Sequence, residues 1–298
     1  MKILLFGKNG QVGWELQRSL APLGNLVALN SSHEEFCGDL TDFIGIKRTI
    51  RKIAPDIIVN AAAYTAVDKA ESEPELAQIV NAQAPGVLAQ EAKQLNAWLI
   101  HYSTDYVFNG KSNQPYLETD VTDPISVYGK TKLEGENNII ASGCSHLIFR
   151  TSWIYAANGN NFIKTILELA QQRNKLNVVN DQVGSPTGAE LIADVTAYVL
   201  LSLRHESEVC GLYHLAARGY TSWYEFARFI LEHARNAHFP LKTQSDALLP
   251  IASTDYPSSA KRPLNSCLNT SKLEKTFNLN LPSWQIGVTR TLTEILAR

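Results

Sequence analysis

GKNGQVG, residues 7–13, follows the apolar run KILLF (2–6) and leads directly into WELQRSLAPL, a helical pattern. Glycines at 7, 10 and 13 let the backbone pass close to a pyrophosphate seated on a helix N-terminus, with the amides of Gln11 and Val12 facing its oxygens. A glycine triplet alone says little, because turns need glycine for their own geometry. The setting between a first strand and a first helix is what gives this one a ligand-binding reading. It predicts a dinucleotide-binding α/β fold.

The rest of the first half has the matching rhythm. Short apolar runs at 26–30 (LVALN), 56–60 (DIIVN), 97–103 (AWLIHYS) and 146–150 (HLIFR) alternate with helical patterns near 11–21, 42–53, 74–95 and 127–141. Such alternation indicates βαβ units and a parallel sheet buried on both faces. Pro85 predicts a kink or break in the third helix. After about residue 155 the rhythm loosens into a helical NFIKTILELAQQR (161–173), a strand-like LNVVND (176–181), a helix over 188–202 and then shorter elements. The expected fold is a Rossmann-type, doubly wound parallel sheet over residues 1–155, with segments at about 176–202 returning to it. Residues 156–298 form mainly a smaller, substrate-binding lobe.

The totals exclude several classes of function. With 298 residues, 45% of them hydrophobic, the chain can bury a large core, and 27 basic against 29 acidic residues give no bias toward a nucleic acid or other polyanion. Cys37, Cys144, Cys210 and Cys267 lack metal or redox spacing and read as buried free thiols of a reducing compartment. The N-terminal apolar run stops at Gly7-Lys8, and no stretch is long enough to span a bilayer. A cytoplasmic protein without a membrane partner is expected.

Tyr128 and Lys132 in VYGKTKLEGE are four residues apart, and on a helix that is an advance of about 6 Å and a turn of about 400°. They project from one face and can share one ligand. A phenol near pKa 10 needs about 4 kcal/mol of phenolate stabilisation to exchange protons freely at neutral pH, and a neighbouring ammonium has the right sign. The same ammonium can hydrogen-bond a nicotinamide ribose. In isolation the pair describes many solvated helices; its place after the fourth strand of a chain that opens on a dinucleotide turn raises its standing. Open α/β sheets bind ligands at the carboxyl ends of strands. Thr104 in HYSTDYVF, at the end of the fourth strand, is therefore placed to bond a substrate carbonyl. By the same rule Asn30, Asp39, Leu40, Ala62, Ala63, Tyr64, Thr65 and Tyr102 line the cofactor. Asn30 replaces the acidic residue that commonly favours NAD at the end of the second strand, which predicts a weak preference between NADH and NADPH.

Taken together, the glycine turn, STDYVF and YxxxK resemble the extended short-chain dehydrogenase/reductase superfamily. FGKNGQVGWELQRSLAPLGNL, VNAAAYTAVDKAESEPE, HYSTDYVFNG, VYGKTKLEGE, FRTSWIYA, NDQVGSPTGAELIAD and RPLNSCLNTSKL extend the likeness across residues 6–273. They resemble the branch of the superfamily that reduces dTDP-linked 4-keto sugars. The resemblance implies hydride delivery from NAD(P)H to C4 of dTDP-6-deoxy-L-lyxo-4-hexulose, giving dTDP-L-rhamnose. It implies Tyr128 as proton donor, Lys132 holding the ribose and depressing the tyrosine pKa, and Thr104 assisting at the carbonyl. It also implies Asp105 and Trp153 at the sugar nucleotide, a homodimer, and magnesium held at the dimer contact by Glu15, Glu190 and Glu294. Arg262 is expected near the pyrophosphate.

A 4,6-dehydratase of the same superfamily needs an added glutamate after Thr-Asp, and this chain has Tyr106 there. A 4-epimerase uses the same Tyr and Lys and stays open. A non-catalytic regulatory subunit on the same fold has no need of a proton donor, and Thr104, Tyr128 and Lys132 speak against it.

Overall fold

The computed structural model describes residues 1–203 and 209–297. Five strands, β1 (Lys2–Phe6), β2 (Asn25–Leu29), β3 (Ile57–Asn60), β4 (Trp98–Thr104) and β5 (His146–Thr151), form one sheet with an edge strand, Gly211–His214. The order is β2-β1-β3-β4-β5-edge, and every pair is parallel. The order reverses between β1 and β3. In an open sheet that reversal leaves a crevice at the carboxyl ends of the two strands, which is where a ligand binds.

Alternation along each strand explains why the sheet needs cover on both sides. Ile3 and Leu5 face one core with Val59, Ile100 and Phe149, while Leu4 and Phe6 face the other with Ile58, Leu99 and Ile148. The first core is closed by α1 (Gln11–Leu20) through Leu16 and Leu20, the second by α2 (Phe43–Ile53) through Ile46 and Ile50. This is the expected doubly wound sheet. The helical stretch at 74–95 runs on without a break, and the expected interruption at Pro85 is replaced by a local widening just before it. Short helices α3 (Val67–Ala70) and α4 (Pro74–Gln78) lead into a wide π turn at Ile79–Gln83, and α5 (Ala84–Leu95) follows with Pro85 in its first turn. A proline there has no N–H to offer the carbonyl four residues back.

Between β4 and β5 lies α6 (Val127–Ser142), and beyond β5 comes the second lobe. α6 packs beside α5, its first turn capped by the Ser126 hydroxyl, which accepts from the Gly129 amide. The stretch 176–202 divides. Leu176–Val179 pairs with Leu248–Ile251 in the second lobe, whereas α8 (Ala189–Ser202) lies against α1 and buries Ile192, Val195 and Val199 in the first core. The second lobe is built on α7 (Phe162–Gln172), α9 (Trp223–Asn236) and α11 (Trp284–Leu296), around Ile163, Phe226, Ile230 and Val288. α10 (Ser271–Thr276) returns to the edge strand, with Leu273 in the first core. All four cysteines are free thiols, but only Cys144 and Cys267 are buried as expected, Cys37 being half-buried and Cys210 exposed; among the described residues no helix is long and apolar enough to cross a membrane.

Candidate active site

The chain leaves β1 through Gly7, which sits at φ +87°. A Cβ on Gly7 would come within 2.6 Å of the Ala62 nitrogen, and one on Gly13 within 2.0 Å of the Gly7 carbonyl oxygen. The glycine turn, the start of α1 and the loop after β3 are thus packed backbone to backbone, which no larger residue permits. Gly10 caps α1 with no side-chain bond. The first-turn amides, which no intrahelical carbonyl can reach, are left to a ligand, and the helix dipole favours an anionic one.

Above this turn opens a cleft of about 770 Å³. Gly7, Gly10, Gln11 and Val12 line one end; Asn30, Asp39 and Leu40 extend it past β2, and Ala62, Ala63 and Thr65 past β3. Tyr102, Thr104, Asp105, Tyr128, Lys132 and Trp153 line the other end. A dinucleotide needs a pyrophosphate cradle, neutral walls and an opening at the sheet's switch point, and these residues supply all three. Three expected cofactor or substrate residues stay outside the lining. Gly13 acts through close packing. Tyr64 has its amide and carbonyl clasped by the Asn81 side chain, and its hydroxyl donates to Glu73. Arg262 donates through Nη2 to Asp68 Oδ2 at 2.5 Å, next to the lining residue Val67, and so stands at the rim.

At the catalytic end, Tyr128, Lys132 and Glu136 form one stripe of α6. Lys132 is 2% exposed, and its Nζ donates to the Tyr102 carbonyl at 2.6 Å and lies 3.3 Å from His101 Nε2. Burial lowers the Lys132 ammonium to about 8, against the opposing pull of Glu136. Burial raises the Tyr128 phenol to about 12, with Thr104 lowering it and Asp105 raising it. The expected depression of the tyrosine by Lys132 is not what this geometry gives. The ammonium donates to the Tyr102 carbonyl, and Thr104 is the group that favours the phenolate. A phenol held near 12 is protonated at neutral pH, as a proton donor must be. Tyr106 lies edge-on to Tyr128, with ring centroids 5.9 Å apart, and burial raises its own pKa well above the usual range.

Thr104 Oγ1 donates to Asp105 Oδ1 at 3.0 Å and accepts from the Tyr106 amide at 3.1 Å, which fixes its rotamer at the end of β4. Asp105 is 3% exposed, and its Oδ2 has no hydrogen-bond partner. Burial raises this carboxyl to about 7, although Ser266 and Thr104 pull it down. An unfolded aspartate titrates near 3.9. The stability linked to Asp105 is therefore fully present below about pH 4 and is lost as pH rises through 7. Asp105→Asn, which keeps the shape without the charge, is expected to gain about 4 kcal/mol over the unsubstituted protein at pH 8 and only about 1 kcal/mol at pH 4.5. Urea denaturation at the two pH values reads the difference. Equal effects at both would show that Asp105 is ionised without penalty.

Trp153 leaves β5 at φ +45°, a strained value for an aromatic residue. Its ring stacks on Trp223 of α9, centroids 3.4 Å apart at 5°, and both rings line the cleft where the second lobe meets the first. Glu15 on α1, Glu190 on α8 and Glu294 on α11 stand outside the cleft. Burial raises Glu190 to about 7; Arg290 opposes this, and Glu294, Glu15 and Asp194 add to it. Among the described residues no three carboxylate, histidine or cysteine side chains gather to hold a metal, so these glutamates make no ligand shell within one chain.

Trp223, Asn60, His101 and Asp68 are site features that sequence reasoning missed. Trp223 is remote in sequence from Trp153, and Asn60 and His101 read as ordinary strand residues.

A parallel α/β sheet with a glycine turn at its switch point and a Thr, a Tyr and a Lys at its far side defines an oxidoreductase-type fold of the extended short-chain dehydrogenase/reductase class. The chain belongs to the family described as "RmlD substrate binding domain", whose model matches residues 1–297. It is 55% identical over 295 residues to dTDP-4-dehydrorhamnose reductase of Escherichia coli strain K12, covering 99% of this chain and 98% of that one. Among solved structures, dTDP-4-dehydrorhamnose reductase of Clostridium acetobutylicum superposes with a TM-score of 0.88 at 35% identity, covering 98% of this chain and 99% of that one. The Bacillus anthracis enzyme of the same name, in complex with NADP, gives 0.87 at 33% identity, again with 98% and 99% covered.

Proposed function

We propose that the protein is a dTDP-4-dehydrorhamnose reductase, reducing the C4 keto group of dTDP-6-deoxy-L-lyxo-4-hexulose to give dTDP-L-rhamnose. The observation that carries this reading is the meeting of Thr104, Tyr128 and Lys132 at one end of a cleft whose other end is the glycine turn. The full-length likeness to reductases of that name supports the substrate.

Bound along this cleft, NADPH or NADH supplies a hydride from its nicotinamide. The residues of the chain bind, orient and protonate. The first-turn amides of α1 hold the pyrophosphate, and Lys132, anchored to the Tyr102 carbonyl, has further N–H bonds to offer a ribose hydroxyl. Thr104 and Tyr128 converge on the carbonyl oxygen, and as C4 gains the hydride the phenol passes its proton to that oxygen. Solvent then restores the phenol. Asp105 and Trp153, with Trp223 behind it, hold the sugar nucleotide. No third acid or base stands where a dehydratase needs one, since Tyr106 is a phenol held protonated by burial.

The absorbance of NAD(P)H at neutral pH tests the function. Consumption with the 4-keto sugar nucleotide and none with UDP-galactose is expected; inertness toward the keto sugar would overturn the reading. The end of β2 carries no charge to repel or clasp a 2′-phosphate, and the Asn30 amide is bonded to Ser32 Oγ. The specificity constants for NADH and NADPH are accordingly expected to lie within a hundredfold of each other. A larger ratio would place the discrimination elsewhere.

A homodimer belongs to the same proposal. Trp14 and Tyr198 are 54% and 47% exposed on α1 and α8, flanking the Arg18–Asp194 ion pair, and this face fits a second copy. A monomer mass on sedimentation would remove it.

A further inference from the structure

A line of hydrogen bonds runs behind Lys132, through residues that are almost wholly buried. Asn60 and His101 are each 1% exposed and Lys132 2%. Asn60 Oδ1 accepts from the Ala62 amide at 3.2 Å, Asn60 Nδ2 lies 3.1 Å from His101 Nδ1, and His101 Nε2 lies 3.3 Å from Lys132 Nζ.

The direction of this line is set at its first member. A backbone N–H can only donate, so the Asn60 oxygen must face Ala62 and the Asn60 NH₂ must face the ring. His101 Nδ1 then has to be the lone-pair nitrogen, and in a neutral imidazole the proton sits on Nε2. That N–H points at the Lys132 nitrogen. A neutral amine can accept it, whereas an ammonium cannot, because all its hydrogens and its charge oppose another donor.

We propose that Asn60 and His101 are positioning residues that aim an N–H at Lys132 and so weaken its hold on its third proton, keeping this lysine poised to lose and regain it near neutral pH. Burial of the site acts in the same direction, lowering both the lysine, to about 8, and the His101 imidazole, well below its ordinary value, so the ring stays neutral. Other charges near Lys132 are few. On its own helix Glu136 pulls the other way, but that carboxylate is engaged by Arg150 of β5 and Ser103 of β4. Tyr128 is a protonated phenol, and Asp105 at the end of β4 acts on Tyr128 and Cys267. His101 is the neighbour that distinguishes charged from neutral lysine by donor geometry.

The inference rests on the reading of Lys132 as the cofactor-side cation of a reductase, but its test needs no turnover. In protein labelled with ¹³C at lysine Cε, with Lys132→Arg to assign the signal, Lys132 is expected to titrate near pH 8. His101→Leu removes the donor and is expected to raise that midpoint by about one pH unit, a tenfold tighter hold on the proton. His101→Gln can accept from Asn60 and donate to Lys132, and is expected to restore the lower midpoint. A merely structural role predicts the opposite sign, since replacing imidazole by an alkyl group deepens burial and lowers an ammonium pKa. An unchanged or lowered midpoint in His101→Leu overturns the proposal. Should that variant fail to fold, ¹⁵N shifts of the His101 ring in the unsubstituted protein decide. The Nε2–H tautomer supports the relay, and the Nδ1–H tautomer overturns it. Loss of activity on the keto sugar would instead strike the functional reading and leave these titrations standing.

Discussion

Tyr128→Phe is expected to lower kcat by at least about a hundredfold, because it removes a general acid and nothing else. The hydroxyl is the only atom group lost. The ring remains edge-on to Tyr106, and α6 keeps its Ser126 cap and its packing beside α5. KM for both substrates is expected to change little, since an interaction that acts as the proton moves lowers kcat without weakening ground-state binding. Thr104 bears on the same oxygen and favours the phenolate, so Thr104→Val is expected to lower kcat by less and to shift its pH dependence upward. Full turnover by Tyr128→Phe at saturating substrate would remove the phenol from the mechanism.

Glu136→Leu is expected to cost about 3–5 kcal/mol of folding stability, the effect of leaving one member of a buried ion pair alone. Glu136 accepts from Arg150 Nε at 2.9 Å and Nη2 at 2.7 Å, with side-chain exposures of 1% and 4% for the two residues. Arg150 Nη1 already lacks a partner. Without Glu136 the whole guanidinium would be buried with no countercharge. Glu136→Leu combined with Arg150→Met is expected to recover most of the loss, since an apolar pair of similar volume is often no less stable than the ions it replaces. Urea denaturation of the single and double variants measures both. A cost under about 1 kcal/mol for Glu136→Leu would show that the pair is hydrated and contributes little.

The sheet was legible because both of its faces are buried, so KILLF, DIIVN and HLIFR stand out as unbroken apolar runs, and the glycine turn marks where β1 hands over to α1. Pro85 marked where the third helix departs from regular α geometry, but the helix absorbs it in a π turn at Ile79–Gln83 and does not break. The catalytic face of α6 was harder to see. Its buried stripe of Tyr128, Lys132 and Glu136 is polar, so hydrophobic periodicity does not find it; the four-residue spacing of Tyr128 and Lys132 after the fourth strand pointed to two of its members, and the family likeness then gave them roles. Contacts between distant segments left no local trace. The Trp153–Trp223 stack, the clasp of Arg262 by Asp68 and the Asn60–His101–Lys132 line each join residues whose neighbours in sequence give no reason to pair them. The tyrosine pKa shows the limit of spacing arguments. Four residues on a helix place Lys132 on the face of Tyr128, but where the ammonium spends its hydrogen bonds depends on the Tyr102 carbonyl of another strand.

The central claim is that this cleft carries hydride to C4 of a dTDP-linked 4-keto sugar. Incubation with the keto sugar and NADPH deuterated at nicotinamide C4, on the transferred face, is expected to give dTDP-L-rhamnose with one deuterium, located at C4 of the sugar by NMR. Deuterium at another carbon, or product formed with none, would contradict it.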